Sequence, residues 1–161
     1  MTHSPAGAPG GGAIILAPGE GRRIRVFDAT LTVKAGGDET GGAFDAIELL
    51  SPPGEGPPLH VHRRHEEAFY ILEGEFTFRK GEELVRLGPG GFLYVPRGTP
   101  HTYQNTGGRP GRSYVILTPG GNDRFFAELG ALPPGPPDMA QVGAIFERYD
   151  LELLGPPLDL A

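Results

Sequence analysis

The sequence predicts an all-β fold, an antiparallel sandwich or barrel with short helices at its C-terminal end. Three observations lead there. Apolar and polar residues alternate in short runs, the period of a half-buried strand. The 27 glycines and 18 prolines fall mostly between those runs, where turns belong. The period lengthens to that of a helix only after Thr118-Pro-Gly-Gly. Strands so short and evenly spaced argue for a sandwich or barrel and against βαβ units.

Taken in order, Met1 to Gly12 is rich in Gly, Pro and Ala and lacks a basic segment, so residues 1–12 are expected to be a disordered tail that includes His3. Residues 13–118 are expected to form the barrel. Its first strands are Ala13–Leu16, Ile24–Phe27, Leu31–Lys34 and, after two Gly-Gly turns, Ala43–Leu50. Leu59–His62, Glu67–Leu72, Glu75–Arg79 and Glu83–Leu87 follow, with Glu73-Gly74 and Lys80-Gly81 as hairpin turns. Phe92–Val95, His101–Asn105 and Tyr114–Leu117 complete the set. Residues 119–161 are expected to be a helical extension packed on the barrel. Asn122 or Asp123 can cap a first helix with Phe125, Phe126 and Leu129 on its apolar side, stopped by Gly130. After the Pro-rich stretch from Leu132, Asp138 can cap a second helix carrying Val142, Ile145, Phe146 and Tyr149. The end, Leu153-Leu-Gly-Pro-Pro, reads as extended chain packed on the body, and no internal repeat suggests a second barrel.

A length of 161 residues suits one domain with a sizeable core. The formal charge of -6, with no basic cluster beyond Arg22-Arg23 and Arg63-Arg64, argues against nucleic acid as partner. No stretch approaches the roughly 20 apolar residues of a membrane span, and nothing has the form of a secretory signal. The absence of cysteine excludes disulfides, thiolate ligands and thiol nucleophiles. A cytoplasmic protein is expected.

Two blocks carry chemistry. The first runs Gly54-Glu-Gly-Pro-Pro-Leu-His60-Val-His62-Arg-Arg-His-Glu-Glu67 and ends at Gly74; the second runs from Gly90 through Pro96, Gly98 and His101 to Asn105. In a strand His60 and His62 point to one side. Two imidazoles, a carboxylate just after and a third imidazole on a later strand can converge on one ion. Parity adds that Phe69 and Ile71 share the face of Glu67, and Tyr103 and Asn105 that of His101. Phe76 and Phe78 read as core. Glu66 is the alternative to Glu67, which fits the distance to Gly74 and the alternation better; His65 reads as a solvated loop residue, as do Arg63 and Arg64.

Written as spacings, the blocks are G-x5-H-x-H-x4-E-x6-G over 54–74 and G-x5-P-x-G-x2-H-x3-N over 90–105. At every fixed position they match the two motifs of the cupin superfamily. The stretch from Pro57 through Glu-Glu-Ala-Phe-Tyr-Ile-Leu-Glu-Gly-Glu resembles small single-domain bacterial cupins related to quercetin dioxygenase. So does the tail, Asn122-Asp-Arg-Phe-Phe-Ala-Glu-Leu-Gly and Phe146-Glu-Arg-Tyr-Asp-Leu-Glu-Leu-Leu-Gly-Pro-Pro. The resemblance implies a single double-stranded β-helix, a jelly-roll barrel. It implies that His60, His62, Glu67 and His101 hold one divalent metal, with iron first and Mn, Ni, Co or Zn compatible with the donors. It implies a dioxygenase for an enolic or phenolic small molecule of flavonol or polyketide type. There the metal takes the substrate's oxygen, Glu67 is ligand and catalytic base, and dioxygen is the co-substrate. Tyr103 and Phe69 are the expected substrate-binding residues, and a homodimer is expected because relatives commonly pair. A non-oxidative metal-dependent cupin, such as a polyketide cyclase or isomerase, and a non-catalytic small-molecule-binding barrel are the alternatives.

Overall fold

The computed structural model describes residues 12–160, so the expected tail, apart from Gly12, lies outside the described residues. Two antiparallel sheets face each other. The larger runs, in spatial order, β1 (Arg22–Val26), β2 (Ala29–Ala35), β3 (Asp45–Ser51), β10 (Gly111–Thr118), β5 (Glu66–Glu73) and β8 (Phe92–Val95). The smaller runs β11 (Leu151–Pro157), β4 (Pro58–His62), β9 (His101–Asn105), β6 (Phe76–Lys80) and β7 (Glu83–Leu87). Consecutive strands such as β4 and β5 lie in opposite sheets, which is the jelly-roll arrangement the sequence predicts. Among the described residues no helix is long and apolar enough to cross a membrane.

Alternation places the core between the sheets. Along β10 the inward residues Ser113, Val115 and Leu117 are buried while Tyr114 faces out; along β5, Glu67, Phe69 and Ile71 are buried and Tyr70 is exposed. Phe76 and Phe78 are completely enclosed, the core role read from the sequence. Gly74 and Gly98 take positive φ at the strand corners, 86° and 76°, where a side chain would be strained.

Three local expectations need correction. Ala13–Leu16 forms no strand: the run is too short and uniformly apolar to define two faces, and it lies beside Phe44 and Tyr114 on the outer surface. The C-terminal segment is not wholly a helical extension: its end is extended and packed on the body as expected, but as β11 it enters the smaller sheet and pairs Leu151 with His62 and Leu153 with His60. Its Gly155 and Pro157 coincide with register breaks, and prolines are tolerated there because the strand is an edge. The helix α1 (Asn122–Gly130) is not capped by its own side chains. Asp45, distant in sequence and wholly buried, accepts from the Gly121 and Asn122 amides at 3.0 and 2.7 Å. The second helix, α2 (Met139–Arg148), does start on Asp138, whose carboxylate accepts from the Ala140 amide at 2.9 Å.

Candidate metal centre

The site is assembled across the gap between the sheets. β4 supplies His60 and His62 on one face, β9 supplies His101 directly opposite His60, and β5 of the other sheet supplies Glu67. All four are buried, and their donor atoms lie within 4.8 Å of one another. Glu67 Oε2 stands 2.9 Å from His101 Nε2 and 3.2 Å from His62 Nε2.

Hydrogen bonds orient the rings. His60 Nδ1 donates to the Pro58 carbonyl at 2.7 Å and His101 Nδ1 to the Thr99 carbonyl at 2.9 Å. A carbonyl only accepts, so both Nδ1 atoms carry hydrogen and both Nε2 atoms face the cluster. Burial, reinforced by His101 and His62, pushes His60 down to about 3, so it stays neutral with a free lone pair. Burial also pulls His101 down, but the bond and charge of Glu67 outweigh it and leave this ring above the ordinary value. Burial alone would raise Glu67; the charge of His62 and the bonds from both rings hold it well below the usual carboxylate range. The result is an ionised carboxylate facing three imidazoles.

These residues fit a divalent ion. With bonds of about 2.1 Å, adjacent donors of an octahedron stand about 3.0 Å apart and opposite donors about 4.2 Å. The pairs at 2.9 and 3.2 Å already have the shorter spacing, and no pair of donors is more than 4.8 Å apart, so only small side-chain shifts bring all four onto one ion. His62 Nδ1 is buried without a partner among the described residues.

The cluster opens on a cavity of about 80 Å³ whose wall is mainly apolar, including Val26, Leu31, Ile47 and Phe69. Tyr103 lines it between Phe69 and Phe78, with ring centroids 5.8 and 5.6 Å away, and its hydroxyl is kept protonated by burial and by the nearby Glu55. Phe69 and Tyr103 therefore both line this cavity. Asn105 does not: its amide donates at 2.8 Å to the Ser51 and Arg109 carbonyls and ties a corner. The helices close the cavity. Phe125 and Leu129 of α1 and Phe146 of α2 line it, and the Phe146 ring meets His60 edge-on at 6.1 Å.

Glu66 points away from the cluster and pairs with Arg97 at 3.2 Å. Arg63 pairs with Glu152 and Arg64 with Asp150, both at the exposed surface. His65 differs from the solvated residue expected: it is half-buried, its Nδ1 has no partner among the described residues, and its ring lies 6.2 Å from that of His62. The turn between β4 and β5 folds it back beside the site. Sequence reasoning missed the closing aromatics and Glu55. For Glu55 a signal existed, a lone acid inside the stiff Gly54-Glu-Gly-Pro-Pro segment of a metal motif.

Comparison with known proteins gives consistent results. The profile of the cupin domain matches residues 48–117. A quercetin 2,3-dioxygenase of Bacillus subtilis is 33% identical over 130 residues, covering 81% of this chain and 37% of that protein. The tetracenomycin polyketide synthase protein TcmJ of Streptomyces glaucescens is 35% identical over 80 residues, 50% of this chain and 52% of that one. These matches span between about a third and a half of the relatives' own length. Among solved structures, KdgF from Halomonas superposes with a TM-score of 0.62 at 20% identity, covering 71% of this chain and 99% of that chain. An RmlC-like cupin from Shewanella frigidimarina gives 0.60 at 17%, covering 70% and 96%. The last two show the fold alone.

Proposed function

This chain carries a cupin domain and belongs to the cupin superfamily, and on that premise we propose that it is a metal-dependent oxidoreductase, a dioxygenase acting on an enolic or phenolic small molecule. The observation that carries the reading is the buried three-histidine, one-carboxylate cluster facing an apolar cavity closed by aromatic side chains. In it His60, His62, Glu67 and His101 hold one divalent ion, iron first, with Mn, Ni, Co or Zn accepted by the same donors. Such an ion supplies Lewis-acid polarisation of the substrate oxygen and access to dioxygen chemistry.

The chain's own residues do the rest. His60 offers its lone pair without losing a proton, whereas His101 must first release the one it shares with Glu67. Glu67 is ionised and can accept a substrate proton, though weakly while two imidazoles hold it. Phe69, Tyr103 and Phe146 exclude water and set the plane of a flat guest. As it stands the cavity suits a compact ligand; a flavonol needs α1 and α2 to move outward. The protein is further proposed to act as a cytoplasmic homodimer.

A second reading is favoured by the likeness to the polyketide synthase protein, namely a non-oxidative cyclase or isomerase that polarises a carbonyl at the same ion. Oxygen-electrode measurements on the iron-loaded protein with compact enols and catechols separate the two. Stoichiometric oxygen uptake is expected. Product formation that proceeds equally under argon would remove the dioxygenase reading.

A further inference from the structure

We propose that Glu55, with Tyr103, forms a second polar subsite in the same cavity, which takes a hydroxyl group at the end of the ligand remote from the four-donor cluster. This rests on the function proposed above, since the ligand's other end is seated on the cluster.

Position comes first. The Gly54 amide donates to the Asn105 carbonyl at 2.8 Å, and the Asn105 amide donates to the Glu55 carbonyl at 2.9 Å. Glu55 is therefore laid against the end of β9, four residues beyond His101, about 13 Å along the strand at about 3.3 Å per residue. Tyr103 stands between them. This approach needs the glycine that follows: a Cβ at Gly56 would lie 1.9 Å from the Tyr103 carbonyl oxygen. Glu55 is thus held by the backbone at the end of β9 away from His101, and the residue lines the cavity.

Chemistry comes second. Glu55 Oε2 is shut off from water and has no hydrogen-bond partner among the described residues. An unpaired buried oxygen on a residue that lines a cavity is costly to keep and is satisfied by a guest that donates and accepts. Among the described residues no cation is paired with Glu55; the charged group acting on it is Asp28, which disfavours ionisation. Burial, opposed by Ser51 and reinforced by Asp28, pushes the carboxyl up to about 7. Near neutrality it exists in both forms. A ligand hydroxyl suits both, because it donates to the carboxylate and accepts from the acid. An anionic group is repelled by the Asp28 and Glu55 charges. The matching guest is a compact chelating enol or phenol bearing a second, neutral hydroxyl.

A matched pair of probes tests this. Kojic acid and allomaltol share one chelating hydroxypyranone head and differ only in a hydroxymethyl against a methyl at the far side. Titration calorimetry on the zinc-loaded protein should show kojic acid binding at least fivefold tighter, and Glu55→Leu should bring the ratio close to one while leaving allomaltol unchanged. Glu55→Gln should keep most of the preference, since an amide also donates and accepts. Equal affinities in the wild type, or a preference that survives Glu55→Leu, overturn the subsite. Failure to take up metal, measured separately by elemental analysis, counts against the function proposed above instead. The 13C carboxyl resonance of Glu55, assigned by its loss in Glu55→Gln, then decides in the zinc-loaded protein. It should move on addition of kojic acid and not of allomaltol; a resonance indifferent to both rejects the inference.

Discussion

Adding a divalent metal should raise the melting temperature of the wild type and do so far less in His101→Ala. With free metal at 100 times the dissociation constant, linkage stabilises the folded chain by about 2.7 kcal/mol. For a chain of 161 residues each kcal/mol moves the midpoint by about 2–4 °C, so the gain is about 5–11 °C. Removing the His101 ring takes away one of four donors clustered within 4.8 Å. If affinity falls about 100-fold, at the upper end for disturbed metal sites, the same metal concentration equals the new dissociation constant. The gain then shrinks to about 0.4 kcal/mol, or about 1–2 °C. The metal-free variant should also start lower, because Glu67 loses the partner at 2.9 Å and stays buried with only His62 at 3.2 Å. His65→Ala is the control: its ring is near that of His62 but its side chain is not among the four donors, so the full gain should remain. Differential scanning fluorimetry of chelator-stripped protein against Fe(II) under argon, Mn, Ni, Co and Zn makes the measurement. The reasoning is refuted if none of these ions moves the wild type, or if His101→Ala responds as strongly.

Other expected outcomes rest on separate features. Because Glu55 titrates at about 7 in the folded chain against an ordinary value of 4.5, the folded state binds its proton more tightly. The contribution of this group to stability is then greatest below about 4.5 and falls as pH rises through about 7, by on the order of 1–3 kcal/mol after allowing for partial exposure. Glu55→Gln should therefore match the wild type at pH 4.5 and exceed it in urea denaturation at pH 8; equal midpoints at both pH values would contradict the assigned environment. Phe146→Ala empties a buried position against Phe125, 4.9 Å between centroids, and should lower stability by about 3–5 kcal/mol while making the site accessible to larger chelators. Asp45→Ala leaves the Gly121 and Asn122 amides without their acceptor and should cost about 1–3 kcal/mol, with hydrogen exchange accelerated first at the start of α1.

Much of the molecule was legible in the chain because the controlling physics is local. Strand alternation depends on successive residues, so the runs ending in Leu87, Val95 and Asn105 were read to the residue. The pairing of His60 with His62 on one face follows from the same period, and the spacing of two blocks was enough to carry the resemblance to cupins. Asp138 was legible as a cap because a capping side chain reaches only its own first turn. What needed tertiary structure depends on groups far apart in sequence. Asp45 caps a helix that begins 77 residues later, a partnership with no local trace. The edge strand β11 forms because β4 offers an unpaired side, a property of the sheet and not of Leu151–Pro157. The convergence of Glu67 from one sheet on histidines of the other, the aromatic closure by α1 and α2, and the burial that lifts Glu55 are likewise consequences of packing. Sequence determined which donors exist and which way each strand turns them; only the closed fold decided which of them are dry, and dryness sets their charge and their use.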